Sequence, residues 1–180
     1  MATEQDIQAL VEKMTEERDK LLAQIEALSE GEAMNAPADA EGEAQWSPKQ
    51  QTCHLAEMET AYRAWVAKAL VEENPDVTTV RGEQVEIPLE QAHEYTVGKL
   101  VGQLRAQREK TLRMIEGLKP SDYDRTASQP MFGTLTVLQW LRSYYRHDRM
   151  HQAQIAGRES TFKPNFVTGS EPDQRRVRLR

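Results

Sequence analysis

Two of the chain's four histidines, His147 and His151, stand four residues apart in the stretch RHDRMHQAQI. On a helix, positions i and i+4 share a face. Two imidazoles one turn apart can grip one metal ion from the same side. Such a pair needs a third ligand, and His54 is the candidate. Read as a helix, the stripe Gln51, His54, Met58, Ala61 and Trp65 puts His54 on the core-facing side, within the first two turns. His147 and His151 share a face with Tyr144 and lie beside Val137, Leu141 and Ile155. All three histidines thus point at one interior, and bundle interiors are where facing helices build metal sites. A single inward histidine is more often a packed core residue than a ligand; three of them on two helices shift that balance. The fourth, His93, falls in the first turn of another helical segment and reads as a surface residue.

Three neutral imidazoles leave the full charge on a divalent ion and at least one open position, the arrangement of a catalytic zinc site. Such an ion lowers the pKa of a bound water towards about 7, and it equally holds a thiolate deprotonated. The same residues therefore suit a metal-dependent hydrolase or a thiol-dependent transferase. Zinc is the first choice of metal, with nickel, iron and manganese also suited to imidazole. Glu57, three residues after His54, is the candidate general base or ligand-orienting carboxylate; the competing reading is a solvated helix carboxylate. Asp148 is expected to pair with Arg146 or Arg149 on the outside of its helix, and Tyr144 to pack in the core. Cys53 reads as a small buried hydrophobe. Met131 and Phe132, just before the last helix, are placed to wall the cavity.

Four elements must bring these residues together. Thr3 followed by Asp6 opens a first helix, with apolar residues from Ile7 to Leu28 at helical spacing and Gly31 placed to end it. The acidic linker NAPADAEGEAQ follows without periodicity. Ser47 as N-cap and Pro48 at the first position start a second helix running to about Glu73, with Trp46 just outside it. A third starts near Leu89 and is closed by Pro120. Thr134 or Thr136 caps a fourth, which ends near Gly157. The expected architecture is a single all-α domain over residues 1–158, a four-helix bundle, followed by a basic tail over 159–180. The connections are longer than an up-down bundle needs, so at least one is expected to cross over along the bundle.

Composition agrees. Hydrophobic residues are 38% and charged residues 29% of a 180-residue chain, as suits a protein rich in amphipathic helices. The low aromatic content argues against an all-β domain. No apolar run reaches the roughly 18–20 residues of a membrane span, and the polar start MATEQDIQAL is no signal peptide. One cysteine allows no internal disulfide, which points to a reducing cytoplasm. A net charge of −6 gives no general attraction to nucleic acid. The local exception is the arginine-rich end QRRVRLR, with neither an aromatic platform nor a basic helix beside it.

Taken in order, WSPKQQTCHLAEME, FGTLTVLQWL and YYRHDRMHQAQI resemble the DinB/YfiT-like metalloenzyme family across Trp46 to Ile155. (This DinB is unrelated to the DNA polymerase of that name.) The resemblance implies an up-down-down-up four-helix bundle with a long crossover, commonly dimeric. It implies that His54, His147 and His151 bind a divalent metal, with water completing the site. It further implies a metal-dependent hydrolase, or a transferase or isomerase using a low-molecular-weight thiol, acting on a small molecule. The alternative is a non-catalytic metal- or ligand-binding stress-response bundle. Leu22 and Leu112 are apolar residues available for a homodimer face.

Overall fold

A computed structural model describes residues 2–38, 40, 42–130 and 132–158. The basic tail and Met131 lie outside the described residues. Four long helices dominate: α1 (Glu4–Glu26), α2 (Pro48–Val71), α3 (Val97–Glu116) and α4 (Val137–Ile155). A short antiparallel hairpin, β1 (Thr126–Gln129) and β2 (Gly133–Thr136), leads into α4.

Local capping explains three of the four helix starts as expected. Thr3 Oγ1 accepts from the Asp6 N–H at 3.1 Å, and the Asp6 carboxylate accepts from the Thr3 N–H at 3.0 Å. Ser47 and Gln50 make the same exchange at α2, behind Pro48, and Thr136 and Gln139 make it at α4. Each cap contributes about 1 kcal/mol.

Two boundaries differ from expectation. α1 stops at Glu26 instead of reaching Gly31. Ser29 and Glu32 exchange hydrogen bonds of their own there and start a 3-10 turn, Glu32–Met34. α3 begins at Val97, not near Leu89. Leu89–Glu94 is a 3-10 turn, and Thr96, in extended conformation, caps α3 by accepting from the Lys99 N–H. A hydroxyl that bonds the backbone locally competes with continued helix, and here it wins.

Pairings between helices give their directions. Arg18 meets Asp148 and Gln24 meets the Gln152 carbonyl, so α1 and α4 run parallel. Glu59 meets Arg108 and Arg63 meets Thr111, so α2 and α3 run parallel. Tyr62 packs on Tyr144 and Trp65 on Trp140, so α2 and α4 run antiparallel. The order is up-down-down-up. Joining parallel α2 and α3 requires residues 72–96 to return along the bundle. Gln103 clips this crossover by donating to the Ile87 carbonyl at 2.9 Å and accepting from the Ile87 N–H at 2.7 Å. The Ser128 backbone, on β1, bonds Val77 and Pro75 at its start.

The largest apolar cluster includes Tyr62, Trp65, Leu135, Trp140, Leu141 and Tyr144, where α2, α4 and the hairpin meet. A second gathers Leu21, Leu22, Ile25, Leu55, Val101 and Leu104. Leu22 is therefore core, 3% exposed, and not a free dimer face; Leu112 packs partly buried on the first cluster. No described helix is long and apolar enough to cross a membrane.

Asp148 corrects a further expectation. It does not pair outward with Arg146 or Arg149 but is fully buried, on Arg18 at 2.8 Å and Arg108 at 2.9 Å. Glu59 completes the set, 2.6 Å from Arg18 and 2.7 Å from Arg108. Each helix supplies one member of this buried tetrad. The formal charges cancel, as burial of ions demands.

Candidate metal centre

His54 sits in the second turn of α2, and His147 and His151 in the last turns of α4. Because these helices are antiparallel, the start of one faces the end of the other. The rings cluster: His54 to His147 is 5.1 Å between centroids, His54 to His151 is 5.4 Å, and His147 to His151 is 4.6 Å. The three side chains are between 0% and 11% exposed. The three histidines singled out by spacing are thus brought together.

A fourth residue joins them that spacing did not suggest. Glu43, on the 3-10 turn Gly42–Gln45 inside the acidic linker, lays its carboxylate against all three rings. Its oxygens stand 3.3 Å from His54 Nε2, 3.8 Å from His147 Nε2 and 3.7 Å from His151 Nε2. His147 Nε2 and His151 Nε2 are 3.0 Å apart. Four donors each about 2.0–2.1 Å from one ion stand about 3.4 Å from one another at the corners of a tetrahedron. These four spacings, 3.0–3.8 Å, lie around that value, and all four donors lie within 4.8 Å of one another. His54 Nε2 is buried, and its 3.3 Å contact with Glu43 lacks the alignment of a hydrogen bond, so its lone pair is available to a metal. The donor set therefore fits a divalent cation. Sequence reading missed Glu43 because its linker has no periodicity; its place just before the Trp-Ser-Pro helix start was the available signal.

Protonation also fits. Burial holds His54 below the usual imidazole pKa, against the opposing pull of Glu43. Burial, then the neighbouring His147 and His54, hold His151 well below it. Burial opposes ionisation of Glu43, but His147 and His54 outweigh it and keep the carboxyl well below its ordinary range. Two neutral imidazoles and a carboxylate are states that bind metal.

The tautomer of His151 follows from a relay. Gln51 donates its amide N–H to the Trp46 carbonyl at 2.9 Å, which turns its own oxygen towards His151 Nδ1, 2.9 Å away. An amide oxygen only accepts, so Nδ1 carries the proton. The lone pair is left on Nε2, facing the centre. The Trp46 ring packs on His54 at 4.7 Å and walls one side.

Other candidates lie elsewhere. Glu57 is outside the cluster, and its carboxylate accepts the Leu89 N–H at 3.0 Å, fastening the crossover to α2. Phe132 packs on Trp140, two turns before His147 on α4, so it walls the apolar core and not the histidine cluster. Cys53 is fully buried; burial, then the Glu57 and Glu90 carboxylates, push its thiol up to about 12. His93 is exposed and bonds Ser47 Oγ at 2.8 Å. A cleft of about 350 Å3 lies at the end of α4, lined by Pro37, Ala38, Ala44, Gln154 and Arg158. Gln154 follows His147 and His151 on one helical stripe.

Four helices in this order carry, between two of them, a cluster of three histidines and one carboxylate that could hold a metal ion. The DinB superfamily model matches residues 13–155, and the chain belongs to that superfamily. YuaE of Bacillus subtilis (strain 168), an uncharacterized protein, is 27% identical over 143 residues, 73% of this chain and 86% of YuaE. The fold is shared with YfiT from Bacillus subtilis, described as a probable metal-dependent hydrolase with an unusual four-helix bundle topology. The TM-score is 0.69, the identity 16%, and the match covers 87% of each chain. A mycothiol-dependent maleylpyruvate isomerase shares it at TM-score 0.57 and 15% identity, over 90% of this chain and 66% of the isomerase.

Proposed function

We propose that this protein is a metal-dependent enzyme. His54, His147 and His151 hold one divalent ion, zinc in the first instance, and the site acts on a small molecule. The reaction is a hydrolysis or a transfer that uses a low-molecular-weight thiol. The observation that carries this reading is the clustering of the three histidines, with Gln51 aiming the His151 lone pair at the centre. The likeness to YfiT and to the isomerase supports both chemistries. A divalent ion there supplies a Lewis acid that polarises a carbonyl and acidifies a water or thiol near neutral pH. The chain's own residues hold neutral nitrogens in place, and Trp46 shields one side from water.

The reading includes a reducing cytoplasm, supported by the single buried cysteine, and a homodimer. Among the described residues only Met34 and Val71 are large exposed hydrophobics, so such a dimer would join largely polar surfaces. Light scattering that returns a single-chain mass at micromolar concentration removes the dimer.

The test of function uses protein purified without a nickel column. One divalent ion per chain is expected, with turnover of ester or amide substrates, or of an electrophile with a thiol. His151→Ala should lose metal and turnover and lower the thermal midpoint only modestly, because the apolar clusters persist. Outright unfolding of the variant would make the site structural, and full turnover without metal would remove these histidines from the chemistry.

A further inference from the structure

We propose that Glu43 is a displaceable fourth ligand: its carboxylate fills the open corner of the three-histidine site at rest and yields that corner to an anionic donor of the substrate. The inference rests on the metal-centre reading above and adds how the site opens and which substrates it favours.

The three histidines and Glu43 are held in different ways. His54, His147 and His151 project from long helices and are almost fully buried. Glu43 projects from a four-residue 3-10 turn, none of whose residues is buried, and its side chain is 39% exposed. The turn is entered through Gly42 at φ +59°, a left-handed conformation that suits glycine. It is tied to α2 through Trp46, whose N–H donates to the Glu43 carbonyl at 3.2 Å and whose ring rests on His54. A carboxylate on such a turn reaches the centre from the solvent side. It can swing back into water without disturbing a helix, and the histidines cannot.

Charge decides what replaces it. Three neutral imidazoles leave two positive charges on a divalent ion, and the carboxylate reduces the local charge to one. In a site this buried, an uncompensated charge is costly. An anionic donor that takes the corner keeps the charge unchanged, whereas a neutral donor raises it by one. The exchange breaks the Glu43 contact, forms one contact to the incoming donor and returns the carboxylate to solvent. A thiol entering this way gives its proton to the buffer. Substrates presenting a thiolate or carboxylate are thus favoured over neutral ones.

Cobalt(II) makes the corner visible. Wild type, Glu43→Gln and His147→Ala, stripped of metal, are titrated with cobalt(II), and the loaded forms are titrated with azide as the anionic probe. Wild type should bind one ion. Glu43→Gln should bind it more weakly than wild type, with a changed visible spectrum, and should bind azide several-fold more tightly because no internal carboxylate competes. A Glu43→Gln protein with wild-type cobalt affinity, spectrum and azide affinity overturns the proposal. So does one that keeps all three and loses only turnover, since Glu43 would then be a base and not a ligand. If wild type binds no cobalt, or His147→Ala binds it equally well, the metal-centre reading itself fails. The substitution is isosteric and on a surface turn, and equal thermal midpoints check that folding is intact.

Discussion

Gln51 shows how one side chain can set the chemistry of another. Its amide sits between the acceptor-only Trp46 carbonyl and His151 Nδ1, so the direction of both hydrogen bonds is forced. Without it, His151 is free to take the other tautomer and turn an N–H towards the centre. Gln51→Leu should therefore lower metal affinity about 10–100-fold, read by competition with a chromogenic chelator. Gln51→Glu, which keeps an acceptor against Nδ1 but loses the donor to the Trp46 carbonyl, should recover only part of that loss. A leucine variant with wild-type affinity would show that ring packing alone holds His151.

At the level of elements, the crossover over residues 72–96 must lie flat on α2 for α3 to run parallel to it. Gly82 marks a tight approach: a Cβ there would fall on Thr60 Oγ1 and the Thr60–Ala61 backbone. Helix backbone cannot give way as a flexible side chain can. Gly82→Ala is expected to cost about 1–3 kcal/mol in urea unfolding, the range for overpacking. Gly31→Ala is the control. Its backbone is already helical, at φ −67° and ψ −47°, and a Cβ there meets nothing within 4 Å. It should stay within about 0.5 kcal/mol of wild type. Equal losses in both variants would refute the close packing of the crossover.

The whole molecule is tied by the buried tetrad of Arg18, Glu59, Arg108 and Asp148. Removing one member leaves an unmatched buried charge, so Asp148→Asn should destabilise by about 3–5 kcal/mol. The tetrad also sets the acid limit. Burial opposes ionisation of Glu59, but Arg108 and Arg18 outweigh it and hold its pKa at about 2, against an ordinary 4.5. Between these values the unfolded chain binds the proton and the folded chain does not. The stability from Glu59 is thus present above pH about 4.5 and is lost as pH falls towards about 2, a few kcal/mol in size. Urea midpoints measured from pH 7 to 3 should fall chiefly below 4.5; a flat series would show that the tetrad does not control acid stability.

Much of this was legible in the residues themselves. The caps at Thr3, Ser47 and Thr136 act over three positions, so they are written locally and the structure keeps them. The inward stripes of His54, His147 and His151 are helical periodicity, and periodicity survives folding. What periodicity does not carry is which faces meet across long connections. Asp148 read as an outward residue because its burial depends on Arg18 and Arg108, 130 and 40 positions away. Glu43 was one acid in an unpatterned linker until the antiparallel packing of α2 on α4 built a ring of imidazoles beside it. The helices and their apolar faces were thus set by the sequence through contacts within a turn or two. The charge tetrad and the place of the Glu43 carboxylate beside the three histidines were set only when distant segments closed on one another, because their energies come from partners that no local pattern encodes.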